Sequence, residues 1–201
     1  MSRPAGKENR KEEIFQAAVK CFNENGYYRT SMDMIAERAK ITKRGLYYHF
    51  KSKDQLFIQL FHHMNRKFYE RIPRSVMTDT DPEHRLLRFG KIASSALEEN
   101  TDFLKFSQEF LSLSLRKPEI RKVMTSYYRE QVERVQASIE KGIRAGTFAA
   151  VDPGKMARAI VLITMGAFNV FFSLDCDYDL SDQHTFDITH IVGSLKKGGL
   201  V

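Results

Sequence analysis

Thr42-Lys43-Arg44-Gly45-Leu46-Tyr47-Tyr48-His49-Phe50 reads as one short helix with two unlike faces. Leu46 and Phe50 stand four residues apart, so a helix stacks them on one side, turned inward. Lys43, Arg44, Tyr47, Tyr48 and His49 are then left near the exposed side. Thr42 offers the hydroxyl that caps a helix N-terminus. Basic and aromatic side chains around the first turn of a short helix are what reading base edges in a DNA major groove requires, and the positive helix end favours phosphates.

Working outward, Ala39-Lys40-Ile41 is a turn of the length that joins the two helices of a helix-turn-helix. Before it, Thr30 or Ser31 offers an N-cap for a helix reaching about Ala39. Earlier still, Ile14, Ala18, Cys21 and Phe22 fall on one helical face that closes at Asn25-Gly26. Glycine there suits a left-handed C-cap. Phe22, Ile35 and Ala36 are the expected inward partners of Leu46 and Phe50.

Charge points the same way. Residues 1–60 carry twelve Lys or Arg against seven Asp or Glu, whereas the remaining chain carries twenty against eighteen. The basic excess thus concentrates where a polyanion would be met. Without the matched spacing, Lys43-Arg44 and the neighbouring aromatics would read equally well as a solvated face.

Together, Ile14-Phe15-Gln16-Ala17-Ala18, Phe22, Gly26-Tyr27, Thr30-Ser31, Ile35-Ala36, Ala39, Leu46-Tyr47-Tyr48-His49-Phe50 and Lys53 resemble the N-terminal signature of the TetR/AcrR family of transcriptional regulators. The resemblance covers roughly the first 60 residues. It implies an all-α fold, with a three-helix helix-turn-helix DNA-binding domain over residues 1–52 and a larger helical bundle for effector binding and dimerisation over residues 53–201. It further implies that Thr30 and Ser31 bond phosphate, that Met32 faces a base, and that Lys43, Arg44 and Tyr48 read major-groove edges. Thr42 and Gly45 belong to the same surface, with Gly45 allowing close backbone approach. Tyr47, His49, Lys51, Ser52 and Lys53 are implied phosphate contacts. Two positions depart from the pattern. Lys40 stands where the family's turn usually has glycine, and Arg44-Gly45 replaces a frequent Gly-Thr pair.

Beyond Pro73 the chain keeps a helical period with no β alternation, giving about nine helices in all. A mostly polar connector, residues 75–81, leads to helices expected over 82–99, 102–116, 118–145, 156–174 and 181–196. Phe103, Phe106 and Phe110, together with Met165, Phe168 and Phe172, form aromatic-rich faces. With Met64 and Phe68 they are candidates for the lining of an apolar effector pocket, or for plain core. Ala157, Ile160, Val161, Thr164 and Phe168, then Ile188, Ile191, Val192 and Leu195, have the spacing of helices that form a dimer interface or pack within one subunit.

Other functions find little support. Adjacent His62 and His63 point about 100° apart on a helix and cannot chelate as a pair. Cys21 and Cys176 have neither disulfide-framework nor zinc spacing, which fits a reducing cytoplasm. Cys21 reads as a buried packing residue. No nucleophile elbow or phosphate loop is present, so neither catalysis nor a cofactor is expected. Met1-Ser2-Arg3-Pro4 does not begin a signal peptide, and no stretch reaches the roughly 18 apolar residues of a membrane span. The expectation is a cytoplasmic homodimeric repressor that binds double-stranded DNA at a palindromic operator and is released by a small hydrophobic effector. The competing expectation is a helical small-molecule carrier or sensor without sequence-specific DNA binding.

Overall fold

A computed structural model describes residues 5–196; Met1-Ser2-Arg3-Pro4 lies outside the described residues. Ten α-helices occur among them: α1 Ala5–Arg29, α2 Met32–Arg38, α3 Lys43–His49, α4 Lys53–Glu70, α5 Arg74–Met77, α6 Pro82–Glu98, α7 Thr101–Ser114, α8 Pro118–Arg144, α9 Pro153–Ser173 and α10 Leu180–Ser194. The tenth is α5, a single turn in the connector expected to be polar, held by the buried side chain of Val76. One isolated antiparallel bridge, Phe148 with Lys196, is the sole extended pairing among the described residues.

The described residues gather into two compact units, one of residues 5–67 with 102–121, the other of residues 68–101 with 122–196. The boundary expected at 52/53 therefore falls inside the first unit. The reason lies in α4, whose Leu56, Phe57, Leu60 and Phe61 are all buried. Phe57 meets Phe22 edge-on at 4.8 Å and lies 4.6 Å from Phe106 of α7, while Phe61 stacks on Phe110 at 4.0 Å. A helix that supplies four large side chains to a core cannot be separated from it.

Local chemistry sets the ends of the short helices. In α1 the helical path breaks at Gly26 (φ 72°, ψ 168°), a conformation open to glycine. The α2–α3 turn closes as a Schellman motif: Ile41 N–H donates to Ala36 O and Lys40 N–H to Glu37 O, both at 3.0 Å. This geometry puts Lys40 at φ 53°, in the left-handed region that glycine occupies without steric cost. A side chain there costs about 1–2 kcal/mol. Lys40→Gly is expected to raise unfolding stability by about 1 kcal/mol, after the greater chain entropy of glycine is subtracted. Urea unfolding would show a higher midpoint at unchanged slope; an unchanged or lower midpoint would mean the turn stores no strain.

In the second unit, Leu86, Ile139, Phe148, Ala157, Ile160, Ile188, Val192 and Leu195 make one buried cluster. α10 lies along α6, and Gly90 permits the approach, since a Cβ there would stand 3.3 Å from the Ile188 side chain. Asp152 caps α9 by accepting the Lys155 N–H at 2.9 Å, with Pro153 in its first turn.

α9 corrects two expectations. By length and composition it is long and apolar enough to cross a membrane. The face assigned to dimerisation also turns inward: Ala157, Ile160, Val161 and Phe168, with Ile188, Val192 and Leu195 of α10, are buried within the unit. Leu162, Ile163, Val170 and Leu174, and Phe186 of α10, are exposed instead.

Candidate nucleic-acid interface and effector cavity

The first unit presents α3 as a rigid platform. Leu46 and Phe50 are fully buried and fix the helix to the core. Thr42 caps it by accepting the Gly45 N–H at 3.1 Å. Arg44, Tyr47 and Tyr48 are exposed, Tyr48 to 67%. Large aromatics so open to water, beside an exposed guanidinium, are what a recognition surface displays. Lys43 is exposed and bonds Asp33 of α2 at 2.9 Å, an interaction that holds its ammonium above the ordinary pKa. A pair this open to solvent is weak and readily exchanged for a phosphate. Ser31 caps α2 through the Met34 N–H at 3.1 Å and leaves its own O–H available to a phosphate.

Three residues expected on this surface lie elsewhere. Met32 is buried, packed under α2, and is not presented on the exposed surface. Thr30 is 1% exposed, and its hydroxyl is spent on the carbonyls of Cys21 and Gly26 at 2.9 and 2.8 Å. Lys53 donates to the carbonyls of Tyr27 and Thr30, both at 2.7 Å, where it satisfies the chain leaving α1. Burial lowers its pKa, and its ammonium lies 4.3 Å from the Tyr27 ring centre. All three shape the interface from beneath. Gly45 and His49 are half-buried, and His49 meets Tyr48 edge-on at 5.2 Å. Lys51 remains exposed, its N–H held by Gln55 at 2.6 Å.

An ion-pair cluster at the start of α4 had no sequence signal, because its members are far apart in the chain. Asp54 accepts from the Tyr27 hydroxyl and from Lys117 at 2.8 Å. Burial and the Asp54 bond push the Tyr27 phenol up to about 12, and the bond to Asp54 raises Lys117 to about 12. Tyr27 N–H also donates to Glu109 at 2.7 Å. The end of α1 and the start of α4 are thereby held to α7 and the loop after it.

The second unit contains a cavity of about 110 Å³. Its wall includes Phe68, Tyr69, Phe89, Tyr127, Ile160 and Met165, with Gln131, Thr164 and His184 among the polar members. Of the eight expected pocket residues, Phe68 and Met165 are there. Phe103, Phe106 and Phe110 belong to the core of the first unit, and Met64 lies in that unit as well. Phe168 is buried 5.4 Å from the His184 ring but forms no part of the wall, and neither does Phe172.

His184, from α10, is held between Ser94 of α6 (Nδ1, 2.5 Å) and Thr164 of α9 (Nε2, 2.9 Å). Burial drives its pKa below the ordinary histidine value, against a weaker upward pull from Asp187. An unfolded chain therefore takes up a proton near pH 6.5 that the folded one refuses. The stability tied to His184 is complete above that pH and declines as pH falls toward the lowered folded value. In urea unfolding between pH 7.5 and 5, His184→Gln is expected to show a shallower loss than wild type. Parallel losses would place the acid sensitivity elsewhere.

Residues 14–60 match the family described as bacterial regulatory proteins, tetR family, and residues 82–168 match the BetI-type transcriptional repressor C-terminal family. Over 150 residues the chain is 27% identical to the HTH-type transcriptional regulator YhgD of Bacillus subtilis, covering 72% of this chain and 75% of that one. It is 23% identical over 169 residues to the fatty acid metabolism regulator protein of the same organism, covering 84% and 86%. A TetR transcription regulator from Haloarcula marismortui superposes with a TM-score of 0.85 at 23% identity, over 94% of this chain and all of the other. The first match ends within α4 and the second begins at the start of α6, and the chain belongs to the TetR family of ligand-responsive, DNA-binding transcriptional regulators.

Proposed function

We propose that the protein is a homodimeric repressor that holds a palindromic operator through α3 and is released when a small apolar effector fills the cavity of the second unit. The observation that carries this reading is the pairing of a capped, core-anchored α3 with exposed Arg44, Tyr47 and Tyr48. Anchoring fixes the register that base reading needs, and exposure leaves the reading groups available. The exposed apolar stripe of Leu162, Ile163, Val170 and Leu174, with Phe186, supports dimerisation through α9 and α10. Gly166 within it faces open space, which favours close approach of a second helix. A two-fold dimer places two copies of α3 on half-sites about 34–36 Å apart.

Control follows from α4, a continuous helix whose first turn carries the Asp54 cluster and whose last turn puts Phe68 and Tyr69 in the cavity wall. An effector that favours a shifted α4 binds the released state more tightly, as any ligand must to move the equilibrium. Selection of tight binders from pooled random duplexes, followed by anisotropy titration across a salt series, tests the reading. A palindromic site bound by a dimer is the expected result. Weak binding indifferent to sequence at every salt concentration would overturn it.

A further inference from the structure

The cavity is chemically selective, and its wall limits what the effector can be. Among the described residues none of its wall members is Lys, Arg, Asp or Glu. Its three titratable members are uncharged near neutral pH: burial raises the phenols of Tyr69 and Tyr127 and lowers the imidazole of His184. An ion entering such a wall loses its water and gains no countercharge. Arg134 stacks on the Tyr69 ring at 4.5 Å but stays exposed and outside the wall.

Most of the wall's hydrogen-bonding capacity is already used. Both His184 nitrogens are engaged by Ser94 and Thr164, and the Tyr69 hydroxyl donates to Gln131 Oε1. That bond fixes the amide with its oxygen toward Tyr69 and its nitrogen away. Gln131 Nε2 is buried and has no hydrogen-bond partner. A buried donor left unpaired is unfavourable, so an acceptor brought within its reach is rewarded.

Resting on the effector reading above, we propose that the cavity takes an uncharged, largely apolar molecule bearing one hydrogen-bond acceptor, such as a carbonyl oxygen, and that Gln131 is the residue that recognises it. The aromatic side chains of Phe68, Tyr69, Phe89 and Tyr127 supply flat apolar surface for the rest of the ligand. Selectivity then comes from two sources: the missing countercharge excludes ions, and the unpaired amide favours a carbonyl over a plain hydrocarbon.

Three probes of nearly equal size and their shared hydrocarbon body separate these contributions in calorimetric titration of the full chain at pH 7.5: 4-ethylbenzamide, 4-ethylbenzoate and 4-ethylbenzylammonium, with ethylbenzene. The amide is expected to bind at least ten-fold more tightly than either ion. Gln131→Leu is expected to weaken the amide about ten-fold and leave ethylbenzene unchanged, which also shows that the variant cavity is intact. Benzoate or benzylammonium binding as well as the amide would overturn the proposal, the former pointing to Arg134. Equal losses for amide and ethylbenzene in the variant, or no binding of any probe to wild type, would overturn it as well. Operator affinity measured on the same samples keeps the two readings apart. An amide that binds through Gln131 without loosening the operator sinks effector control and leaves the ligand class standing.

Discussion

Gly142→Ala is expected to be the most destabilising single methyl that can be added to the second unit. Gly142 lies on α8, and the ring of Phe148 packs directly on its backbone. A Cβ there would stand 2.1 Å from Phe148 Cδ2 and 2.4 Å from Cε2, inside any tolerable contact. Phe148 cannot step aside easily. It is fully buried in the cluster with Ile139, Ile160 and Leu195, and the Ala149 N–H is tied to Leu195 O at 2.7 Å. Elsewhere in a helix, glycine to alanine gains about 1 kcal/mol from propensity. Overpacking a core costs about 1–3 kcal/mol and sometimes more; with a ring this confined, a net loss of about 3 kcal/mol is expected. For a chain of this length that corresponds to a fall in Tm of roughly 10 °C. Phe148→Ala provides the control. It should itself cost about 3–5 kcal/mol, but in its background Gly142→Ala should turn neutral or stabilising, because the clash is gone. Equal losses in both backgrounds would mean that the ring is not what excludes the methyl.

Gly142 also shows where the sequence stops being informative. A glycine inside an amphipathic pattern reads as a weak spot in α8, and only the fold shows the ring lying on it. The helix-turn-helix was legible because its signals are local. The Thr42 cap and the Leu46–Phe50 face each follow from residues within one or two turns. Thr30 and Ser31 were harder to tell apart, since both are hydroxyls at a helix start. One became the cap and the other was buried under the α1 carbonyls. Phe103, Phe106 and Phe110 were correctly inward-facing, but periodicity gives the inward side of a helix and not which core it meets. α9 is less legible still. Apolar residues occupy both its faces, so the period has no phase, and the buried Ile160–Val161 pair could not be told from the exposed Leu162–Ile163 pair. Gln131, polar and mid-helix, carried no signal as a cavity residue.

Arg44→Ala is expected to abolish specific operator binding while leaving the fold untouched. The side chain is exposed at the start of α3, one residue from the Lys43–Asp33 pair, so its removal opens no cavity. If it reads guanine through a two-pronged contact, each half-site loses about 1–3 kcal/mol of discrimination. A symmetric dimer loses this twice, so affinity for the selected site should fall by roughly 30-fold to beyond 10,000-fold, levelling off at the non-specific background. The salt dependence separates this role from simple charge. Lys43→Ala is the comparison: if Lys43 leaves Asp33 for a phosphate instead of reading the groove edge that the resemblance implies, its loss should weaken binding to all duplexes alike and lower the salt slope by about one for each half-site. Arg44→Ala should instead erase the difference between the selected and scrambled sites. Arg44→Lys is the sharper variant, because it keeps the charge and loses the planar fork. If Arg44→Lys binds the selected site as wild type does, Arg44 serves the phosphates, and base reading passes to Tyr47 and Tyr48. If it fails like alanine, while Lys43→Ala still prefers the selected site, the guanidinium is the group that reads the sequence.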